Sequence, residues 1–158
     1  MSAKSDNKVV ATNKRAQRDY FLQDRFEAGL VLRGSEIKSV RAGQVNLAEG
    51  YVRDDRRELW LVNCHIAPYD PASRENHDPL RPRKLLLHGN EIVRLRESVQ
   101  QKGLTIIPVR MYLSHGRAKV EIALARGKRK YDKRQSIARR DSQRDVARTL
   151  AEQRKGRE

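Results

Sequence analysis

Apolar and polar positions alternate with a period of two through much of the first 125 residues. From Tyr20, one face reads Tyr20, Leu22, Asp24, Phe26, Ala28, Leu30 and Leu32, and the other reads Phe21, Gln23, Arg25, Glu27, Gly29, Val31 and Arg33. This predicts a long strand with one side buried. The same alternation places Ala118, Val120, Ile122 and Leu124 inward, with Arg117, Lys119 and Glu121 outward. Together with "LTIIPVRMYL", which precedes it across an "SHG" turn, the segment predicts a hairpin. Pro108 has no N–H to give a ladder, so its strand is expected to lie at an edge or to carry a bulge there. "GYVRDDRRELWLVNCHIAPY" predicts a second hairpin with Asp54 to Arg57 at its tip, punctuated by Gly50 and Pro68.

Helical spacing is rarer. "HGNEIVRLRESVQQKG" sets Ile92, Leu95 and Val99 on one face, with Glu91 in the first turn and Gly103 as the C-terminal stop. "GSEIKSVRAG" predicts a shorter helix with Ile37 and Val40 packed and Gly43 ending it, and residues 13–18 predict a turn or two of helix before the first long strand. Residues 69–83, with three prolines and almost no apolar content, predict a surface loop. Many short antiparallel strands with a few small helices predict a mainly β fold, a closed or nearly closed antiparallel barrel, because closure removes exposed edges in a small domain. The organisation expected is a flexible segment over 1–13, a barrel with flanking helices over 14–125 and a tail over 126–158.

Charge sharpens this picture. The chain of 158 residues carries 35 Lys and Arg against 20 Asp and Glu, net +15, a field that attracts polyanions. Residues 126–158 hold 13 basic and 5 acidic side chains, about half of the excess in a fifth of the chain. Drawn as a helix, this tail puts Val146, Ala147, Leu150 and Ala151 on one face and Ile137 on the other. No continuous apolar stripe exists to bury, so the tail is expected to be disordered alone and to order against an anionic partner. Tyr131 sits among its cations. An aromatic ring there can stack on an unpaired base, worth about 1–3 kcal/mol, which favours RNA over a lipid surface as partner.

In the body, Arg117 and Lys119 face outward, and Lys14, Arg15 and Arg18, with Arg81, Arg83 and Lys84 in the loop leading to the long helix, are candidates for one basic patch. Glu27 is the odd outward member. It can accept from base amino groups or sit in a cross-strand ion pair, and the pattern supports both equally. Of Leu85, Leu86 and Leu87, an extended chain cannot bury all three, so one is either exposed beside the patch or covered by the following helix.

Cys64 is the sole cysteine, so no internal disulfide forms, and adjacent Cys64 and His65 point to opposite faces of a strand, as a packed thiol and a surface imidazole rather than a metal pair. The histidines, His65, His77, His88 and His115, are widely spaced, and no metal or other cofactor is expected. Neither a signal-peptide core nor an apolar stretch of membrane-spanning length is present, so a cytoplasmic protein is expected.

"NKRAQRDY", "FEAGLVLRGSEIKSVRAGQVNL", "HIAPY", "RKLLLH", "KGLTIIPVRMYL", "GRAKVEIALARGK" and "YDKR", in this order over Asn13 to about Arg140, resemble the small protein B (SsrA-binding protein) family of bacterial trans-translation. The resemblance implies an oligonucleotide-binding-fold-like barrel that binds the tRNA-like domain of tmRNA in place of a missing anticodon arm, without catalysis. By position, Glu27, Leu86 and Lys119 match family residues important for tmRNA binding, and Asn13, Lys14, Arg15, Arg83 and Lys84 fall in motifs of the same interface. The tail resembles the segment that enters the empty mRNA channel of a stalled ribosome as a helix. Gly127, Lys128, Tyr131, Asp132, Lys133 and Arg134 match the motif at its root, which also holds Arg129 and Lys130, and Tyr131 would stack in the decoding centre. Implied partners are tmRNA, the small ribosomal subunit and, through alanylated tmRNA, elongation factor Tu, with the protein a monomer. The tip "RDDRRELWL" departs from the family, where a glycine before the glutamate is common, and Arg129 stands where lysine is usual. The competing readings are a general structured-RNA-binding or ribosome-associated protein without tmRNA preference, and a hydrolase, for which neither a Ser/His/Asp or Cys/His arrangement nor a GxxxxGK loop is found.

Overall fold

The computed structural model describes residues 7–70, 74, 76–128 and 144. The chain divides into two units, Met1–Arg126 and Gly127–Glu158. The first is a barrel whose elements follow in the order β1 (Lys8–Thr12), α1 (Lys14–Asp19), β2 (Tyr20–Leu30), α2 (Gly34–Arg41), β3 (Val45–Asn46), β4 (Tyr51–Asp55), β5 (Glu58–Val62), β6 (His65–Ile66), β7 (Arg83–Leu86), α3 (Gly89–Lys102), β8 (Thr105–Ser114) and β9 (Arg117–Gly127). The strands run β1-β8-β4-β5-β7-β2-β9, and β9 pairs back with β8, closing a ring. β3 and β6 form a separate two-stranded ladder. The predicted barrel is therefore present, and both predicted hairpins, β4–β5 and β8–β9, are among its antiparallel pairs.

The alternation that predicted these strands is the alternation that fills the barrel. Phe26 and Ala28 from β2, Leu59 and Leu61 from β5, Leu85 from β7, Met111 from β8, and Val120, Ile122 and Leu124 from β9 meet in one buried cluster. Leu95 of α3 joins it fully buried, with Ile92 and Val99 packed beside, as the helical spacing predicts, and Gly103 ends α3 with φ 65°. That left-handed conformation costs glycine little. The β4–β5 tip turns on Arg56 and Arg57, both at positive φ, where hairpin turns usually take Asn-Gly.

Three expectations are corrected. The 1–13 segment is not flexible throughout: Lys8–Thr12 form β1, paired antiparallel with β8 from Arg110 to Leu113. The strand is short, and its alternation is too brief to read against the polar residues before it. β2 ends at Leu30 rather than running on to Arg33, because the chain turns there into α2, whose Glu36 accepts the Arg33 backbone N–H at 2.9 Å. Arg83 and Lys84 lie in β7, not in a loop before α3. Pro108 sits beside a bulge, with the β8–β9 register shifting between Pro108 and Arg110.

Candidate RNA interface

On the outer wall of β2, β7 and β9, Glu27, Leu86 and Lys119 line one cavity of about 640 Å³. Each arrives from a different strand, and each is outward for a local reason. On β2, Phe26 and Ala28 point into the core, so Glu27 between them must face out. On β7, Leu85 is buried, so Leu86 is left 53% exposed. Its direct cross-strand partner on β2 is Gly29, and a Cβ there would stand 3.4 Å from the Leu86 Cβ. The absence of a side chain at Gly29 thus gives Leu86 room to lie over the strand. The remaining wall comes from the α2 start, the α3 start and the β8–β9 turn, including Arg33, His88 and Arg117.

Glu27 is held from both oxygens. Lys119 Nζ donates to Oε1 at 2.9 Å, and the Tyr112 hydroxyl donates to Oε2. Tyr112 stands directly across β8–β9 from Lys119. The Tyr112 hydroxyl and the Lys119 ammonium hold the Glu27 carboxyl below its ordinary pKa, partial burial opposing them. Burial, and then the bond to Glu27, push the Tyr112 phenol up. The carboxylate therefore stays ionised at neutral pH, with acceptor capacity left for a base edge. Of the two readings of Glu27 left open by the pattern, the cross-strand ion pair is present, and the same carboxylate lines the cavity. The pair also means that Glu27 and Lys119 cancel electrically. The cations of this wall without an ion-pair partner among the described residues are Arg33 and Arg117.

The other candidates do not converge here. Arg83 is fully buried: Nε donates to Glu36 Oε2 at 2.5 Å, and its other nitrogens donate to the carbonyls of Cys64 at 2.5 Å and Pro79 at 3.2 Å. Its place in the alternation, two residues before buried Leu85, is inward. An arginine can occupy it because Glu36 is there to neutralise it, so it cannot meet RNA. Asn13 is also interior. Its side chain donates to Pro108 O at 2.9 Å and Leu47 O at 3.2 Å, and accepts from Ala16 N at 3.1 Å, capping α1 and clamping the bulged strand. Lys84 is outward on β7, bonded to Glu58 at 3.2 Å and paired across the ladder with Trp60. Lys14 and Arg15 are exposed on α1, with Arg15 bridged to Asp19 at 3.2 Å and to Glu49. α1 packs through Ala16 against Ile107 and Ala125, about 20 Å along β9 from Lys119 at roughly 3.3 Å per residue. The candidates do not form a single patch: Lys119 lies toward one end of the β8–β9 hairpin, Lys14 and Arg15 toward the other, and Lys84 on β7. Gly127 ends β9 and Lys128 follows it, while Arg129, Lys130, Tyr131, Asp132, Lys133 and Arg134 lie outside the described residues.

Tyr112 and Arg33 were not singled out from the sequence. Tyr112 was findable: a two-residue turn at His115 and Gly116 pairs Ser114 with Arg117, and two further steps bring Tyr112 opposite Lys119. Arg33 required knowing where β2 stops. Cys64 is buried, its thiol pushed up to about 12 chiefly by that burial, and His65 is exposed, as expected. His77 is instead buried, bonded to Ser35 Oγ at 2.8 Å and Ile66 O at 2.9 Å. Among the described residues no three His, Cys, Asp or Glu side chains gather as a metal would require, and no helix is long and apolar enough to cross a membrane.

Against known proteins, the profile of the SmpB protein family matches residues 10–152. The SsrA-binding protein of Roseiflexus castenholzii is 56% identical over 146 residues, 92% of each chain. That of Acidothermus cellulolyticus is 50% identical over 156 residues, 99% of this chain and 98% of the other. A solved chain described as "tmRNA-SmpB: a journey to the center of the bacterial ribosome" superposes with TM-score 0.66 at 45% identity, covering 80% of this chain and 93% of that one.

Proposed function

This chain belongs to the SmpB protein family, and from that premise and the wall geometry we propose that it binds tmRNA and acts with it on the ribosome in trans-translation. The observation that carries the reading is the meeting of Glu27, Leu86 and Lys119 from three strands at one outward cavity. Leu86 offers an apolar surface to a base or ribose, Glu27 an acceptor for base N–H groups, and Lys119 fixes the carboxylate while remaining within reach of a phosphate. Such a wall reads RNA by shape and exposed base edges, as suits a tRNA-like fold with unstacked loops. Lys14 and Arg15 form a second contact region, toward the opposite end of the hairpin.

The segment from Gly127 onward takes the separate task. Its cations enter the mRNA channel when no message fills it and become helical there, with Tyr131 at the decoding centre. A phosphate-lined passage admits a cationic segment only when vacant, so occupancy is what is sensed. The protein works in the cytoplasm as a monomer, meets elongation factor Tu only through alanylated tmRNA, and contributes binding rather than catalysis.

The test is competition. A transcript of the tmRNA tRNA-like domain should displace labelled tmRNA from the full chain far better than bulk tRNA does. Equal displacement would favour a general RNA-binding protein.

A further inference from the structure

Arg33 and Gly34 line two cavities. One is the Glu27 cavity; the other, of about 300 Å³, continues on the far side of Arg33 and is walled by Ser35, Lys38, Tyr69, Asp70 and Asn76. Tyr69 is the most exposed large apolar or aromatic side chain of the described residues, at 55%. Lys38 Nζ stands over one face of its ring, 5.4 Å from the centroid. The backbone that carries the ring is tied down: Asn76 accepts the Tyr69 N–H at 3.1 Å and donates to the Asp70 carbonyl. Gly34 leaves the rim open, with nothing within 4 Å of where a Cβ would be. Among the described residues lining this cavity, Asp70 is the one carboxylate, against Arg33 and Lys38.

An exposed aromatic ring on anchored backbone, Lys38 over one of its faces and Arg33 lining the same cavity, and two lining residues shared with the proposed RNA wall are the parts of a site for a single-stranded nucleotide. A solvent-facing tyrosine that merely packs on a lysine would explain the ring, but not the shared rim or the guanidinium on it, which has no ion-pair partner among the described residues. We propose that the tmRNA surface continues past Arg33 into this second cavity, where Tyr69 stacks an unpaired base and Arg33 and Lys38 hold the phosphates flanking it. This rests on the tmRNA reading above, and it adds to the Glu27 cavity a contact to a splayed-out nucleotide.

The test uses the full chain and a transcript of the tmRNA tRNA-like domain, with affinity measured across a salt series. Tyr69→Ala should weaken binding by about 5- to 150-fold, the range of one lost base stack, while Tyr69→Phe keeps it. Tyr69→Leu, which preserves bulk without a π-face, should bind as weakly as Tyr69→Ala, and it decides the matter if the alanine variant does not fold. Arg33→Gln should lower the slope of log affinity against log salt by about 0.7–0.9, one phosphate contact, and Arg33→Lys should restore it. Wild-type affinity in the Tyr69→Leu variant, or an unchanged slope in Arg33→Gln, overturns the proposal. Failure of the parent reading shows elsewhere, as a wild-type chain that does not distinguish this transcript from tRNA.

Discussion

At the scale of the residue, Glu27 is the member of the proposed wall on which selectivity is expected to turn. A carboxylate facing a polyanion is unfavourable unless it is balanced, and Lys119 balances it here while Tyr112 fixes its orientation. Glu27→Gln removes the charge but not the shape, freeing Lys119. Binding to bulk tRNA should then stay level or rise, while preference for the tmRNA transcript falls by about tenfold, the worth of one charge-assisted hydrogen bond. The folded Glu27 pKa is depressed, so what the pair contributes to stability is present above the ordinary carboxylate pKa and is lost only as pH falls through the depressed value. Preference for tmRNA should accordingly be flat from pH 7 to about 5 and fall only in more acid solution. A competition series against pH checks both statements. The stability share is small, because the pair is half exposed.

At the scale of the element, the joint between α2 and β7 is the most demanding feature. Glu36 and Arg83 are both fully buried and form an ion pair 47 residues apart in sequence, with Arg81 adding a second cation to the same carboxylate. Burial opposes the ionised Glu36, but the hydrogen bonds from Arg81, the Arg33 N–H and Arg83 outweigh it and hold the pKa below the ordinary value. Arg83→Met would leave that carboxylate short of its inner partner, and a loss of about 3 kcal/mol is expected, the lower end for a broken buried pair because Arg81 remains. Urea unfolding midpoints should show it, and Glu36→Leu combined with Arg83→Met should recover much of the loss. This joint also marks where reading the sequence stops working. Alternation located β2 and both hairpins, and helical spacing located α2 and α3; alternation also turned Glu27 and Lys119 outward, because those assignments depend on neighbours one or two residues away, while it left open which of Leu85, Leu86 and Leu87 is exposed. Polarity and prolines set Arg83 in a surface loop, and the family resemblance, not periodicity, set Asn13 at the interface. Their burial depends on Glu36, Cys64, Leu47 and Pro108, partners that only the closed barrel brings near. Local periodicity has no access to a charge compensated from 47 residues away.

At the scale of the whole molecule, the chain separates into units at Arg126 and Gly127, and the proposed labour divides at the same place. Removing residues from Gly127 onward should leave tmRNA affinity within a few-fold while abolishing rescue of ribosomes stalled on a message without a stop codon, measured as tagged product in a reconstituted reaction. Equal loss of both would remove the division. β9 bears on how the two tasks are geared to each other. It carries Lys119 near its start, is locked between β8 and β2 in a ring with no loose side, and reaches Arg126 after seven further residues, roughly 23 Å. With the RNA contact proposed at Lys119, the strand is a spacer bar of set length from that contact to Arg126, the last residue of the barrel unit.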